Sequence, residues 1–276
     1  PFSSKSRSTP YSDDIKMIET PLAILLEITF YAILWHLLFQ CCTHVVSPYL
    51  LGSYSTKYKA LGEGKRSYWN ASMVSSFHAI LVSCMAVYAI QQGKLWSNWP
   101  HLDLAATTDL THTTVRVMNG YMLADALLTV YYRNVDSWHK SFYIVMFHHL
   151  MVLCLTCSIL MIDCCHSYSM IGVLLELTTP MINLHWHLRT VNESETKLYF
   201  INGVVLVVMW FIVRIVVAGP VALYSFYIDE AVASRQVLVT VLIAYTGVYP
   251  LQVYWFIKLI NGARKAFHSI GGQHKE

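Results

Sequence analysis

FYIVMFHHLMVLCLTCSILMI, residues 142–162, is the stretch whose reading decides the fold. It contains no Asp, Glu, Lys or Arg. Its length matches the run of about 20 apolar residues that a helix needs to cross the hydrocarbon of a bilayer. Working outward, comparable runs predict spans over residues 22–46, 73–90, 115–132, 168–188, 198–224 and 237–260. In lipid every backbone amide must bond within its own helix or within a closed barrel. Barrel strands would alternate apolar and polar residues, and these runs do not. The expected fold is therefore all-α, a polytopic membrane helix bundle of about seven transmembrane helices.

Composition agrees with that class. Of 276 residues, 55% are hydrophobic and 13% charged, about half the charged share of an ordinary soluble domain. A formal net charge of +3 is too small and too scattered to suggest nucleic acid. The seven cysteines follow no metal-binding spacing. Cys41, Cys42, Cys84, Cys154 and Cys157 lie in or beside apolar runs, where cysteine is a small core residue; Cys164 and Cys165 occupy a short loop open to reaction or lipidation. The start at Pro1 suggests a fragment or a processed end. Residues 1–20 are polar, rich in Ser and Pro, and expected to be disordered; they lack the apolar centre of a signal peptide.

Basic residues in the short loops set the expected orientation. One side holds Lys57, Lys59, Lys65, Arg66, Arg133, Lys140, Arg189 and Lys197, with Lys258, Arg264, Lys265 and Lys275 toward the C-terminus. The opposite loops offer Lys94 and Arg235, and the N-terminal arm Lys5, Arg7 and Lys16. The C-terminus is thus expected in the cytosol. The Asn-x-Ser sequons at Asn70 and Asn192 then fall on the cytosolic side and stay unmodified.

Ionisable side chains inside a membrane are expensive, so each is a candidate functional group. At a rise of about 1.5 Å per residue, His78, Asp125, His148, His149, Asn183 and His185 share a layer roughly 6–12 Å below the cytosolic helix ends. Helical phase gives inward stripes: Tyr121, Asp125, Thr129 and Tyr132 in the third span; Gly172, Glu176, Thr179, Pro180 and Asn183 in the fifth; Tyr245, Tyr249 and Gln252 in the seventh. Such stripes serve either as interhelical glue or as a site. A carboxylate beside paired imidazoles favours the site. Nearer the far side, Glu176 and Arg214 lie at similar depth on neighbouring spans. They predict a buried ion pair, either structural or forming one wall of a cavity.

Adjacent histidines project about 100° apart on a helix, so both are poorly placed for one metal. They suit divided roles, one as general base or acyl acceptor and the other orienting substrate. Asp125 would fix the imidazole tautomer, and His78 and Asn183 would donate to an oxyanion. His78, Asn183, Glu176, Arg214 and Tyr121 are the expected cavity lining. The spaced histidine boxes of a membrane hydroxylase need more than His148, His149, His185 and His187 provide, and three ligands for a catalytic zinc do not assemble from these residues. No metal and no permanently bound cofactor is expected.

Six stretches together resemble one family: WNASMVSSFHA (69–79), GYMLADALL (120–128), FHH (147–149), LLELTTPMINLHW (174–186), INGVVLVVMWFIVRI (201–215) and YWFIKLINGARK (254–265). In this order they are similar to the TLC domain, the superfamily of ceramide synthases and the translocating-chain-associated membrane protein. The resemblance divides the chain into a first helix with its link (residues 21–56), a six-helix TLC domain (57–265) and a cytosolic tail (266–276). It implies an endoplasmic-reticulum protein of lipid metabolism or lipid homeostasis with acyl-CoA as a substrate. His148 and His149 correspond to the paired histidines of the synthases. Glu176, Thr179 and Asn183 stand where a synthase continues with His-Asp and further acids, so the acyltransferase motif is incomplete and catalysis is left open. A non-catalytic lipid-binding or lipid-homeostasis protein is the alternative. A heptahelical receptor is a minor one, since the third span ends in YYRN and the seventh lacks Asn-Pro-x-x-Tyr. Membrane lipids and fatty acyl chains are the expected partners, and a homo-oligomer is left open.

Overall fold

Thr20 opens the first helix by accepting a hydrogen bond from the Ala23 amide, and Pro21 follows at the first turn, where its missing N–H costs nothing. The structure, a computed structural model, describes residues 20–139, 142–227, 239 and 242–273. Helix α1 (Pro21–Cys41) continues as a π-helical stretch through Leu50. Short α2 (Ser53–Lys59) leads into α3 (Glu63–Gly93), which has 31 residues and ends at Lys94 in a left-handed conformation. A reciprocal capping box between Thr108 and Thr111 starts α4 (Asp109–Tyr131). The single turn α5 (Asp136–His139) precedes α6 (Phe142–Ile162). Then come α7 (His166–Leu174), α8 (Thr179–Thr190), α9 (Lys197–Trp210), α10 (Ala218–Tyr224) and α11 (Tyr249–Gln273). No strand occurs among the described residues.

Among the described residues, four segments are long and apolar enough to cross a membrane: Pro21–Leu50, Glu63–Gly93, Phe142–Ile162 and Lys197–Tyr227. Helix α4 and the α7–α8 rod carry polar stripes that lower their hydropathy. Of the expected seventh span, residues 237–238 and 240–241 lie outside the described residues, as do the arm at 1–19, Arg235 and the side chain of Tyr245. Helix α4 packs against α1, α3 and α6, and α3 also packs against α7 and α8.

The sorting of side chains fits a lipid solvent. Ile24, Ile28, Ala32, Trp35 and Phe39 make the buried stripe of α1, while Leu22, Leu25, Leu26, Phe30 and Ile33 face outward. Outward apolar groups need no burial where the surroundings are hydrocarbon. Gly120 permits the closest helix contact. A Cβ there would come within 2.3 Å of the Tyr31 Cβ and 2.9 Å of backbone atoms of α1. Arg116 of α4 reaches Glu27 of α1 at 2.6 Å, so these two charges are paired.

Three helices lose regular α geometry along the same cavity. Between α7 and α8 the chain tightens to a 3₁₀ turn at Leu175–Thr178, because Pro180 has no N–H for the Glu176 carbonyl. The continuous fifth helix expected from sequence is therefore broken. Between α9 and α10 lies a π stretch, Phe211–Val217, and another, Ala244–Val248, precedes α11. Irregular backbone at membrane depth is tolerated where protein buries it or where it borders a cavity.

Candidate functional site

Helices α4 and α6 bring the acid and one histidine together. Asp125 Oδ2 lies 3.4 Å from His149 Nε2, with both side chains largely buried. Asp125 borders a small polar pocket together with Tyr68, Ser72, Tyr121, Thr129 and Asn183. Three of the four residues of the α4 stripe, Tyr121, Asp125 and Thr129, line it, while Tyr132 stacks on Trp138 instead. Six residues along α4 from Asp125, nearer the opposite end, buried Asn119 accepts a hydrogen bond from Thr156 of α6 and fixes the relative height of the two helices.

His148 turns the other way. It lines a larger, mostly apolar cavity with Val152, Ile159, Glu176, Arg214 and Gln252, about 940 Å³ of atom-free space partly continuous with the outside. Its ring packs edge-on to Trp255 at 6.0 Å. The paired histidines thus serve two different compartments, as their 100° divergence on a helix requires.

Arg214 is the polar anchor of the larger cavity. Its Nε and Nη2 donate to Thr178 Oγ1 at 3.1 and 2.9 Å, Nη2 donates to the Leu175 carbonyl at 2.5 Å, and Nη1 donates to Gln252 Oε1. Its guanidinium also lies 4.1 Å from the Trp210 ring centroid. The 3₁₀ turn is what presents the Leu175 carbonyl and Thr178 hydroxyl to it. The predicted ion pair with Glu176 is not formed. Glu176 instead accepts from its own neighbour Thr179 at 2.8 Å. Both residues still border the cavity.

Two sequence candidates go elsewhere. His78 is fully buried and lines neither pocket. Its ring stacks on Tyr121 at 3.8 Å, and Trp35 meets both rings edge-on. That position removes it from any oxyanion in either pocket. Asn183 borders the smaller pocket, but its amide donates to the Ser72 carbonyl at 2.9 Å and to Ser76 Oγ at 3.0 Å. Its donor group ties α8 to α3 and is not available to an oxyanion. His185 stacks on Tyr199 at 4.0 Å.

A family model of the TLC domain matches residues 68–261. This chain belongs to the TLC-domain family. Relatives run nearly end to end. TLC domain-containing protein 4-B of Xenopus laevis is 26% identical over 266 residues, covering 92% of this chain and 94% of that protein. Human TLC domain-containing protein 4 is 25% identical over 243 residues, covering 84% and 88%. TLC domain-containing protein 4 A of Dictyostelium discoideum is 23% identical over 234 residues, covering 83% and 87%. The chain is a multi-pass membrane protein of this family.

The matched TLC stretch contains every residue of both pockets. It also contains groups that sequence reasoning left out of the site. Gln252 is legible in sequence only as a stripe position and Thr178 not at all, and nothing in their spacing marks them as partners of Arg214. In the loop of this TLC domain after α6, Cys164 Sγ donates to the Leu104 carbonyl at 3.0 Å, and Cys165 is buried 3.8 Å away. The hydrogen bond from Cys165 lowers the pKa of the Cys164 thiol.

Proposed function

We propose that this chain is an integral membrane protein of lipid metabolism that takes a fatty acyl chain into the larger cavity and uses His148 in acyl transfer there. Acyl-CoA is the proposed donor. The endoplasmic reticulum and a cytosolic C-terminus belong to the same reading, since they would leave a polar headgroup at the cytosolic face while the chain enters the bundle. The observation that carries it is the wall of the cavity, mostly apolar, with His148, Glu176, Arg214 and Gln252 converging on it and a few hydroxyls, Thr156, Tyr168, Ser169 and Tyr249, beside them. An apolar space with a few convergent polar groups is what an amphiphile of this type requires. His148 would act as general base or acyl acceptor. Asp125 and His149 would position α6 from behind.

A second reading, non-catalytic lipid binding, draws on one observation: the carboxylate of Asp125 faces His149, and among the described residues no carboxylate pairs with the histidine of the cavity.

The test uses the full chain purified in detergent. Native mass spectrometry of the wild type is expected to show a bound acyl lipid. Incubation with radiolabelled acyl-CoA and a panel of amine and hydroxyl acceptors is expected to give product that His148→Ala abolishes. Bound lipid without turnover on any acceptor selects the second reading. Neither bound lipid nor turnover, from a protein that stays folded, overturns both.

A further inference from the structure

We infer that His112, Asp163 and His166 form a binding site for one divalent transition-metal ion of the zinc class, separate from both pockets. Three elements supply it: His112 lies in the first turn of α4, Asp163 in the loop after α6, and His166 at the start of α7. One ligand atom from each lies within 4.8 Å of the other two. Asp163 Oδ1 is 3.1 Å from His112 Nε2 and 3.4 Å from His166 Nε2. Zinc at about 2.0–2.1 Å from each donor, with tetrahedral angles, separates its ligands by about 3.4 Å. The two carboxylate-to-imidazole distances are already near that spacing, and the third pair lies within 4.8 Å.

A hydrogen-bonded cluster does not account for His166. Its residue is fully buried; Nδ1 has no hydrogen-bond partner, and Nε2 meets only the Asp163 carboxylate, at 3.4 Å. Buried polar atoms are nearly always satisfied, so an imidazole in this condition calls for a partner of another kind. Its Nε2 faces the Asp163 carboxylate and shares it with His112. Ring packing of the two histidines at 4.1 Å brings their nitrogens to one side.

The donor set selects the ion. Two imidazoles and one carboxylate suit zinc or iron(II) and disfavour magnesium or calcium, which prefer oxygen alone. Cys164 is not part of the set, because its thiol points at the Leu104 carbonyl. Arg116, one turn along α4, is paired with Glu27 and so does not oppose a cation with a free charge. Asp163, with its side chain 46% exposed, gives the ion a route in and leaves one coordination position for water. Bound there, the ion would clamp α4, α6 and α7 at the end of the bundle opposite the Lys57–Glu193 ion pair. Cys165 and Tyr168, flanking His166, belong to the wall of the larger cavity.

The test uses the full chain made without a histidine tag, stripped with EDTA and dialysed against ZnCl2 or CoCl2. Elemental analysis is expected to give about one ion per chain. Cobalt is expected to show the visible bands of a four-coordinate nitrogen and oxygen site. His112→Gln and Asp163→Asn, partly exposed and tolerant of change, are each expected to weaken zinc at least about tenfold. The surface change His36→Ala is expected to leave it unaltered. His166→Gln is read only alongside these, since its burial invites misfolding. Substoichiometric zinc in the wild type, octahedral cobalt spectra, or undiminished binding in both the His112 and Asp163 variants overturns the site.

Discussion

Asp125 on α4 and His149 on α6 face each other at 3.4 Å across a buried helix interface. Such a pair should be coupled. Asp125→Ala is expected to cost about 1–3 kcal/mol, the price of leaving a buried partner unsatisfied. In a double-mutant cycle with His149→Ala, unfolding in detergent should show a coupling of about 0.5–3 kcal/mol. The same cycle run with His148→Ala should be nearly additive, because His148 faces the other cavity. Equal coupling to both histidines would contradict the divided geometry.

The second expectation concerns Arg214 and Glu176. Arg214 uses its planar fork against Thr178, Leu175 and Gln252, while Glu176 bonds only to Thr179. Arg214→Lys keeps the charge and loses the fork. It should lower stability by about 1.5–3 kcal/mol, the range for hydrogen bonds to a charged group. Glu176→Gln should change stability by less than about 1 kcal/mol, since an amide oxygen still accepts from Thr179. Chemical unfolding of both variants checks this. A Glu176→Gln loss matching that of Arg214→Lys would restore the ion pair that the geometry denies.

These two cases show what could be read from sequence and what could not. Length, apolar runs and the i, i+4 stripe Tyr121, Asp125, Thr129 predict the helices and the face of α4 that lines the smaller pocket. Depth arithmetic brings Asp125, His148 and His149 level, but it cannot choose between adjacent imidazoles. Arg214 was legible as cavity lining, but its partners were not, because they depend on a 3₁₀ turn and two π stretches, which rotate side chains away from ideal helical phase. The enclosure of His78 was not legible because its ring is closed off by Trp35, a residue of α1 far away in sequence. The His112, Asp163 and His166 group was missed for a different reason. Attention to the membrane interior passes over a loop and two helix starts, and only the fold brings their nitrogens and carboxylate together.

Gly120 offers a test of packing. Gly120→Ala would press a methyl group into the Tyr31 Cβ and the α1 backbone. Overpacking of this kind costs about 1–3 kcal/mol. Tyr31→Ala should not rescue it, because the Cβ and backbone atoms that clash remain. Thermal unfolding of the single and double variants decides the matter. Full rescue would show that the Tyr31 ring, and not helix-to-helix approach, is what Gly120 accommodates.

The two sequons do not test orientation equally. Asn70 is buried; its amide donates to Thr43 Oγ1 at 3.1 Å and to Tyr58 Oη at 3.0 Å, and its oxygen accepts from Ser47 at 2.7 Å. A folded chain could not offer it to a glycosyltransferase on either side of a membrane, so its silence says nothing about topology. Asn192 stands exposed in the turn between α8 and α9 with φ of 60°. On the proposed orientation this turn is cytosolic, beside the Lys57–Glu193 ion pair, and protein expressed in cells should show no glycosidase-sensitive mass there. Asn70→Ala should instead lower stability by about 1–3 kcal/mol through its lost hydrogen bonds. A glycan mapped to Asn192 by peptide mass spectrometry would place this turn in the lumen. That result would invert the bundle and move the headgroup side of the larger cavity with it.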